Sequence, residues 1–221
     1  MTFIKLIPLC MIFLFSQTAL AASDGYIYDF KAPVLINGKL ASKHSAIHFG
    51  DEIITGSRGR IAIKLDGNVF RLGSRSHLIL PKQDKANIIV NFIFGSLLAV
   101  FRHDAHKEIH TRTTVLGVRG TGLFLQEDNQ TTYLCTCYGD VDFADHDDAD
   151  NFARIHADYH NAVDFNHATH RFSKRTMINH DTPELVELEA YAARLPPKTC
   201  AIEYAVNNTV QWPKRQAFTA Q

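Results

Sequence analysis

Thr113–Asp142, TTVLGVRGTGLFLQEDNQTTYLCTCYGDVD, is the stretch from which the fold of this 221-residue chain is read. Leu123–Gln126 and Thr132–Cys137 read as two strands, and Glu127-Asp128-Asn129-Gln130 between them is a polar connector of hairpin length. Val115, Gly117, Arg119 and Thr121 lead through Val118-Arg119-Gly120-Thr121, which reads as a tight turn. Gly117, Gly120 and Gly122 permit backbone angles or close approaches that a side chain would block. Thr121 can bond backbone locally, and Arg119 can hold neighbouring carbonyls with its five donors. Gly117, Arg119, Gly120 and Thr121 are therefore read as a structural corner rather than a ligand site.

Upstream the same grammar repeats. Asn37-Gly38 is a turn signal between Pro33–Ile36 and a return strand at Leu40–His44. Ile61, Ile63 and Leu65 alternate with Lys64, Asp66-Gly67-Asn68 turns, and Val69–Leu72 returns. His77–Leu80 is another short strand, and Ile88–Phe94, Gly95 and Ser96–Arg102 read as strand, turn, strand. Downstream, Ile155, Ala157, Tyr159, Val163 and Phe165 mark late strands, and Asn166–Lys174 reads as polar and exposed. Asp181-Thr182-Pro183-Glu184 is a helix start, with a capping residue, proline in the first turn and an acid near the positive helix end. Leu185, Leu188, Ala192 and Leu195 recur at helical spacing, and Pro196-Pro197 stops the helix. The pattern predicts an all-β sandwich, roll or short solenoid with a short C-terminal helix.

Composition narrows the class. At 46% apolar the chain can build a real core, and 23 Lys plus Arg against 23 Asp plus Glu leave no basic excess to attract nucleic acid. Residues 1–21 read as a cleavable signal peptide: Lys5, the apolar run Leu6–Phe15, and Ala19-Leu20-Ala21 before a cut at Ala22. The run is too short to cross a bilayer comfortably, and Cys10 lacks the small preceding residue of a lipid-attachment site. The expected location is the periplasm, with no membrane span after cleavage.

Three cysteines then remain, Cys135, Cys137 and Cys200, in a compartment where thiols tend to pair or bind metal. Alternation on a strand puts Cys135 and Cys137 on one face. Candidate partners are His156, His160, His167, His170 and His180. His160 ends a strand and His180 precedes the helix, so Cys135, Cys137, His160 and His180 form the expected metal set, suited to a transition metal such as zinc. A buried thiol pair with solvated histidines, or a strained disulfide, is the alternative. No Gly-x-Ser-x-Gly, His-Glu-x-x-His, P-loop or CxxCH is present, so the chain is expected not to be an enzyme. A thiol-redox protein is a further alternative.

The order of blocks also resembles a known family. Gly50-Asp51-Glu52-Ile53-Ile54-Thr55-Gly56, Arg60–Asn68, Leu72-Gly73-Ser74-Arg75-Ser76, Gly95-Ser96-Leu97-Leu98, Thr113–Phe124 and Tyr138-Gly139-Asp140-Val141 are similar to the FecR-type domain of bacterial envelopes. The similarity covers about residues 40–145, with the Val-Arg-Gly-Thr block its most specific piece. It implies a FecR-like β domain at 22–165 and a helical extension at 166–221. The family's best-known regulator has a cytoplasmic anti-sigma segment and a membrane span. Here the signal peptide is expected to lead almost directly into the β domain. The resemblance implies an exported binding or signalling module that contacts an envelope protein or a small ligand.

Overall fold

The computed structural model describes residues 23–82, 88–103 and 107–199. The expected signal peptide 1–21, its cleavage point before Ala22, Cys200 and the tail after it lie outside the described residues.

Three long strands organise the fold: β8 (Ile88–Val100), β10 (Thr114–Glu127) and β11 (Thr131–Asp145). Each belongs to two layers. The later half of β8 pairs with β6 (Asn68–Leu72), which pairs with β5 (Arg60–Leu65) and so with β1 (Gly25–Lys31). On its other side Gly95–Val100 pairs with Gly122–Glu127 of β10. That half of β10 continues through Thr132–Tyr138 of β11 to β13 (Asn161–Asn166) and β14 (Arg171–Arg175). The second layer runs from β3 (Lys39–Leu40) through β2 (Val34–Ile36), β4 (Glu52–Thr55) and β7 (His77–Ile79) to the first half of β8. It goes on through β9 (Lys107–His110), the first half of β10 and the end of β11 to β12 (Phe152–Ala157). All pairings are antiparallel except β8 with β9. The strands form one continuous antiparallel-rich sheet folded into two layers, the all-β architecture expected.

The crossing points are where the sequence suggested turns. Gly95 (φ +101°) lies within β8 rather than between two strands. A Cβ there would meet the Cα of Ser76 at 2.5 Å, so glycine is required both for angle and for space. Val118-Arg119-Gly120-Thr121 is likewise no turn: β10 runs through it, and the pairing register with β11 shifts between Arg119 and Gly122. It is a β-bulge, which bends and twists a strand as it changes layer. Gly120 holds φ +57° there. Thr121, fully buried, donates its hydroxyl toward the Arg119 and Asp140 carbonyls at 3.1 and 2.9 Å, pinning the bulge to β11. Arg119 does not clamp carbonyls; its side chain is exposed and makes no hydrogen bond among the described residues. Asn166–Lys174 is largely exposed, as expected, but Arg171–Arg175 adds strand β14 beyond the expected boundary at 165.

The inner faces bury Ile61, Ile63, Phe70, Leu72, Phe92, Leu97, Ile109, Leu116, Leu123, Leu125, Leu134, Phe143 and Phe165 in one core. Alternation leaves a second apolar patch on the outer face of the first layer: Val69, Leu98, Val100, Phe124, Tyr133, Cys135, Cys137 and Ala162. Helix α1 (Thr182–Tyr191) covers it with Leu185 and Leu188, both fully buried. Each such leucine stabilises the docking by roughly 1.5–3 kcal/mol. Asp181 caps the helix: its carboxylate accepts from the Glu184 N–H at 2.9 Å, and Glu184 reaches back to the Asp181 N–H. Polar anchors flank the leucines. Arg71 pairs with Glu187, Tyr138 bonds Glu189, and Arg194 donates to the Phe101 carbonyl at 2.9 Å. Tyr28 stacks on Tyr191 with centroids 4.6 Å apart.

Candidate metal centre

Cys135 and Cys137 stand on β11 with side chains on the outer face of the first layer, both fully buried and neither in a disulfide. β13 pairs with β11 up to Thr136, and β12 pairs from Gly139 onward. The link between β12 and β13 must therefore close beside Cys137. There the His160 N–H donates to the Cys137 carbonyl at 3.0 Å. His160 takes φ +36°, an unusual conformation for a non-glycine residue that brings its ring over the sulfurs.

His180 arrives from the strap 176–181, between β14 and α1. Tyr133 fixes the strap: its hydroxyl donates to the Thr176 carbonyl at 3.0 Å and accepts from the Ile178 N–H at 3.1 Å. Asn179, at φ +58°, turns the chain and bonds Gln126 at 2.8 Å. His180 then stacks on Phe124, centroids 4.5 Å apart, one residue before the helix cap.

Four donor atoms converge, all within 4.8 Å of one another. Cys135 Sγ lies 3.5 Å from His160 Nδ1, Cys137 Sγ 3.6 Å from His180 Nε2, and the two ring nitrogens 3.3 Å apart. Tetrahedral zinc bonds of about 2.3 Å to sulfur and about 2.0–2.1 Å to nitrogen give S···N edges of about 3.5 Å and an N···N edge of about 3.3 Å. The observed edges have those lengths. His180 Nδ1 donates to the Ile178 carbonyl at 2.7 Å, which leaves the Nε2 lone pair facing the sulfurs. The Cys135 thiol is held well below the ordinary thiol range by the Cys137 hydrogen bond first, then by His160 and His180, against the burial that pushes it up. A thiolate is the form a metal binds. Burial, and then the charge of Cys135, raise Tyr133.

The structure thus brings together the four residues singled out from sequence and leaves the other histidines elsewhere. His156 pairs with Asp140 at 2.8 Å on the surface, and His170 with Asp145 at 2.7 Å. His167 meets the Thr132 hydroxyl at 3.0 Å. Two polar groups escaped sequence reading. Asp145, Asp147 and His170 form a second cluster with metal-type spacing, two of them exposed. Glu127, taken for a connector residue, is fully buried; its Oε2 accepts from Thr132 at 2.6 Å and its Oε1 has no hydrogen-bond partner. Burial raises its pKa to about 7.

Residues 51–142 match the family described as FecR protein. That stretch is similar to a FecR domain and spans less than half of the chain. It begins beside β4 and ends within β11, so most of both layers is built on it. Cys135 and Cys137 lie inside the matched stretch, whereas His160 and His180 lie outside it. No curated protein matches the chain. Two crystal structures of a candidate anti-sigma factor from Parabacteroides distasonis ATCC 8503, at 2.50 and 1.65 Å resolution, match it at 16% identity and a TM-score of 0.49. The match covers 57% of this chain and 59% of that protein, less than two thirds of its length. Among the described residues no helix is long and apolar enough to cross a membrane.

Proposed function

We propose that this chain is an exported FecR-domain binding and signalling module of the bacterial envelope, and that it holds a transition-metal ion such as zinc on Cys135, Cys137, His160 and His180. The convergence of two sulfurs and two ring nitrogens at tetrahedral edge lengths carries the metal reading. Two thiolates and two neutral imidazoles sum to two negative charges, which a divalent ion cancels in a buried site. The module role rests on the FecR-like stretch at 51–142. Its partner is an envelope protein or a small ligand, and the chain is not an enzyme. Residues 1–21 act as a cleaved signal peptide and the mature chain works in the periplasm.

Metal analysis of the purified mature chain after loading with zinc tests this. One ion per chain is expected, with both thiols shielded from a thiol reagent until a chelator is added. A metal-free chain whose thiols react at once, and which reduces disulfide substrates, would instead support the thiol-redox alternative. Mass spectrometry of the envelope protein tests export: the expected first residue is Ala22, and retention of Met1 would refute cleavage.

A further inference from the structure

A structural zinc supplies folding energy where the core is too small to supply it. Here the inter-layer core contains none of the four donors. Three of the elements that bear on the centre are fixed without an ion. β11 is paired along both halves, His160 is tied through its backbone to Cys137, and α1 is held by Leu185, Leu188, Arg71–Glu187 and Arg194. The strap 176–181 is different in kind: it adds no strand to the sheet, and side-chain contacts with Tyr133, Gln126 and Phe124 hold it there, while Met177 and Ile178 are 41% and 37% exposed.

The ligands are also unequal. A firmly held metal-binding histidine donates its second ring N–H to an acceptor. His180 does so, to the Ile178 carbonyl. His160 does not: its Nε2 is buried with no hydrogen-bond partner. His160 is also the least buried of the four donors, sits on the short β12–β13 link, and holds a left-handed backbone conformation. One anchored ligand set and one weakly supported, less buried ligand is the arrangement of a site that exchanges its ion.

We infer that the centre is an exchangeable sensing site for a divalent transition ion, which enters and leaves past His160 and whose occupancy sets whether the strap 176–181 is fixed against the sheet. The inference rests on the metal reading above. The two-layered sheet stays folded in both states, and the signal is the altered surface around Met177 and Ile178. Because His160 and His180 lie outside the matched stretch, this response belongs to the chain's own extension rather than to that stretch.

The test uses the full mature chain with zinc chloride. Hydrogen exchange should show protection of 176–181 rising on zinc addition, while the strands of both layers stay protected with and without zinc. His160→Asn keeps a residue suited to positive φ. It should release zinc to a chelator at least about 10-fold faster than wild type, the scale of losing a ligand's support. His160→Ala should recover slow release when free imidazole is supplied. A zinc-free chain that unfolds globally, stoichiometric zinc with unchanged strap protection, or wild-type release from both His160 variants would each overturn the sensing role while leaving the metal site standing. If the wild-type chain takes up no zinc at all, the metal reading itself falls.

Discussion

β11 carries a metal-capable cluster on each of its halves, and the two are built from opposite materials. At Cys135 and Cys137, on the first-layer half, donor atoms face one another, and the hydrogen bond that orients His180 lies on the far side of its ring. At Asp145, the last residue of β11, the donors are already used. Burial pushes the Asp145 carboxyl up, but hydrogen bonds from His170, the Asp147 N–H and Asn151 outweigh it and hold its pKa low. Proximity of ligand-type residues therefore says little by itself. What separates a candidate centre from a closed ion pair is whether the donor atoms turn toward one another or toward hydrogen-bond partners outside the cluster.

The sharpest way to break this contrast is to remove one member of each cluster. Cys137→Ser is expected to lower zinc affinity by about 100-fold or more, since it removes a direct ligand, whereas Asp145→Asn should leave zinc stoichiometry unchanged. Isothermal titration of both variants decides it, and equal losses would erase the distinction.

Next in size is the bend that separates the two halves. Gly120→Val should destabilise the fold by roughly 1–3 kcal/mol in denaturant melts, because φ +57° suits a β-branched residue poorly. Gly95→Val should cost more. Its Cβ would meet backbone of Arg75 and Ser76, while at Gly120 the obstacle is the His103 ring, which can turn aside. A Gly120→Val chain that melts like wild type would show that the bulge tolerates an ordinary angle.

Glu127 combines the two chemistries, a carboxylate with the burial of the thiols. Its folded pKa, raised first by burial to about 7 from 4.5, makes the folded state the better proton binder between those values. The stability it contributes is full below about pH 4.5 and is lost as pH rises through about 7. Glu127→Gln should flatten that part of the stability–pH curve and raise the melting temperature at pH 8. Melting curves from pH 5 to 8 that coincide with wild type would contradict it.

The smallest effect belongs to His170, whose pKa is raised by the Asp145 hydrogen bond. Its contribution is present below the ordinary histidine pKa and fades as pH passes the raised one. His170→Asn should change the melting temperature slightly at pH 6 and not at pH 9, where the imidazole is neutral in both states. An equal loss at the two values would mean that the ring packs rather than pairs.

Much of this was legible in the chain. Leu123–Gln126 and Thr132–Cys137 form the paired strands expected of them, because alternation and a polar connector are local signals. The Asp181 cap is as local, and so is the common face of Cys135 and Cys137. His160 and His180 stood out because each sits where an element ends. Less legible were the bends at Gly95 and Gly120: a glycine beside apolar residues marks a turn or a bulge equally well, and only the pairing partners decide. β14 was hidden by its polar composition, since a strand at the end of a sheet has little to bury. Glu127 and Asp145 gave no sign, because their burial comes from partners far along the chain, such as His167 and His170.

Sharing β8, β10 and β11 between layers has a practical consequence for anyone who shortens this chain. Cutting at 51 and 142 would strip β1 from β5, β2 from β4, and β12 and β13 from β11. Open backbone edges would then appear on both layers, each a template for pairing with another copy. The stretch matched to the family is thus not a unit to express alone; soluble fragments should begin before Gly25 and run past Arg194.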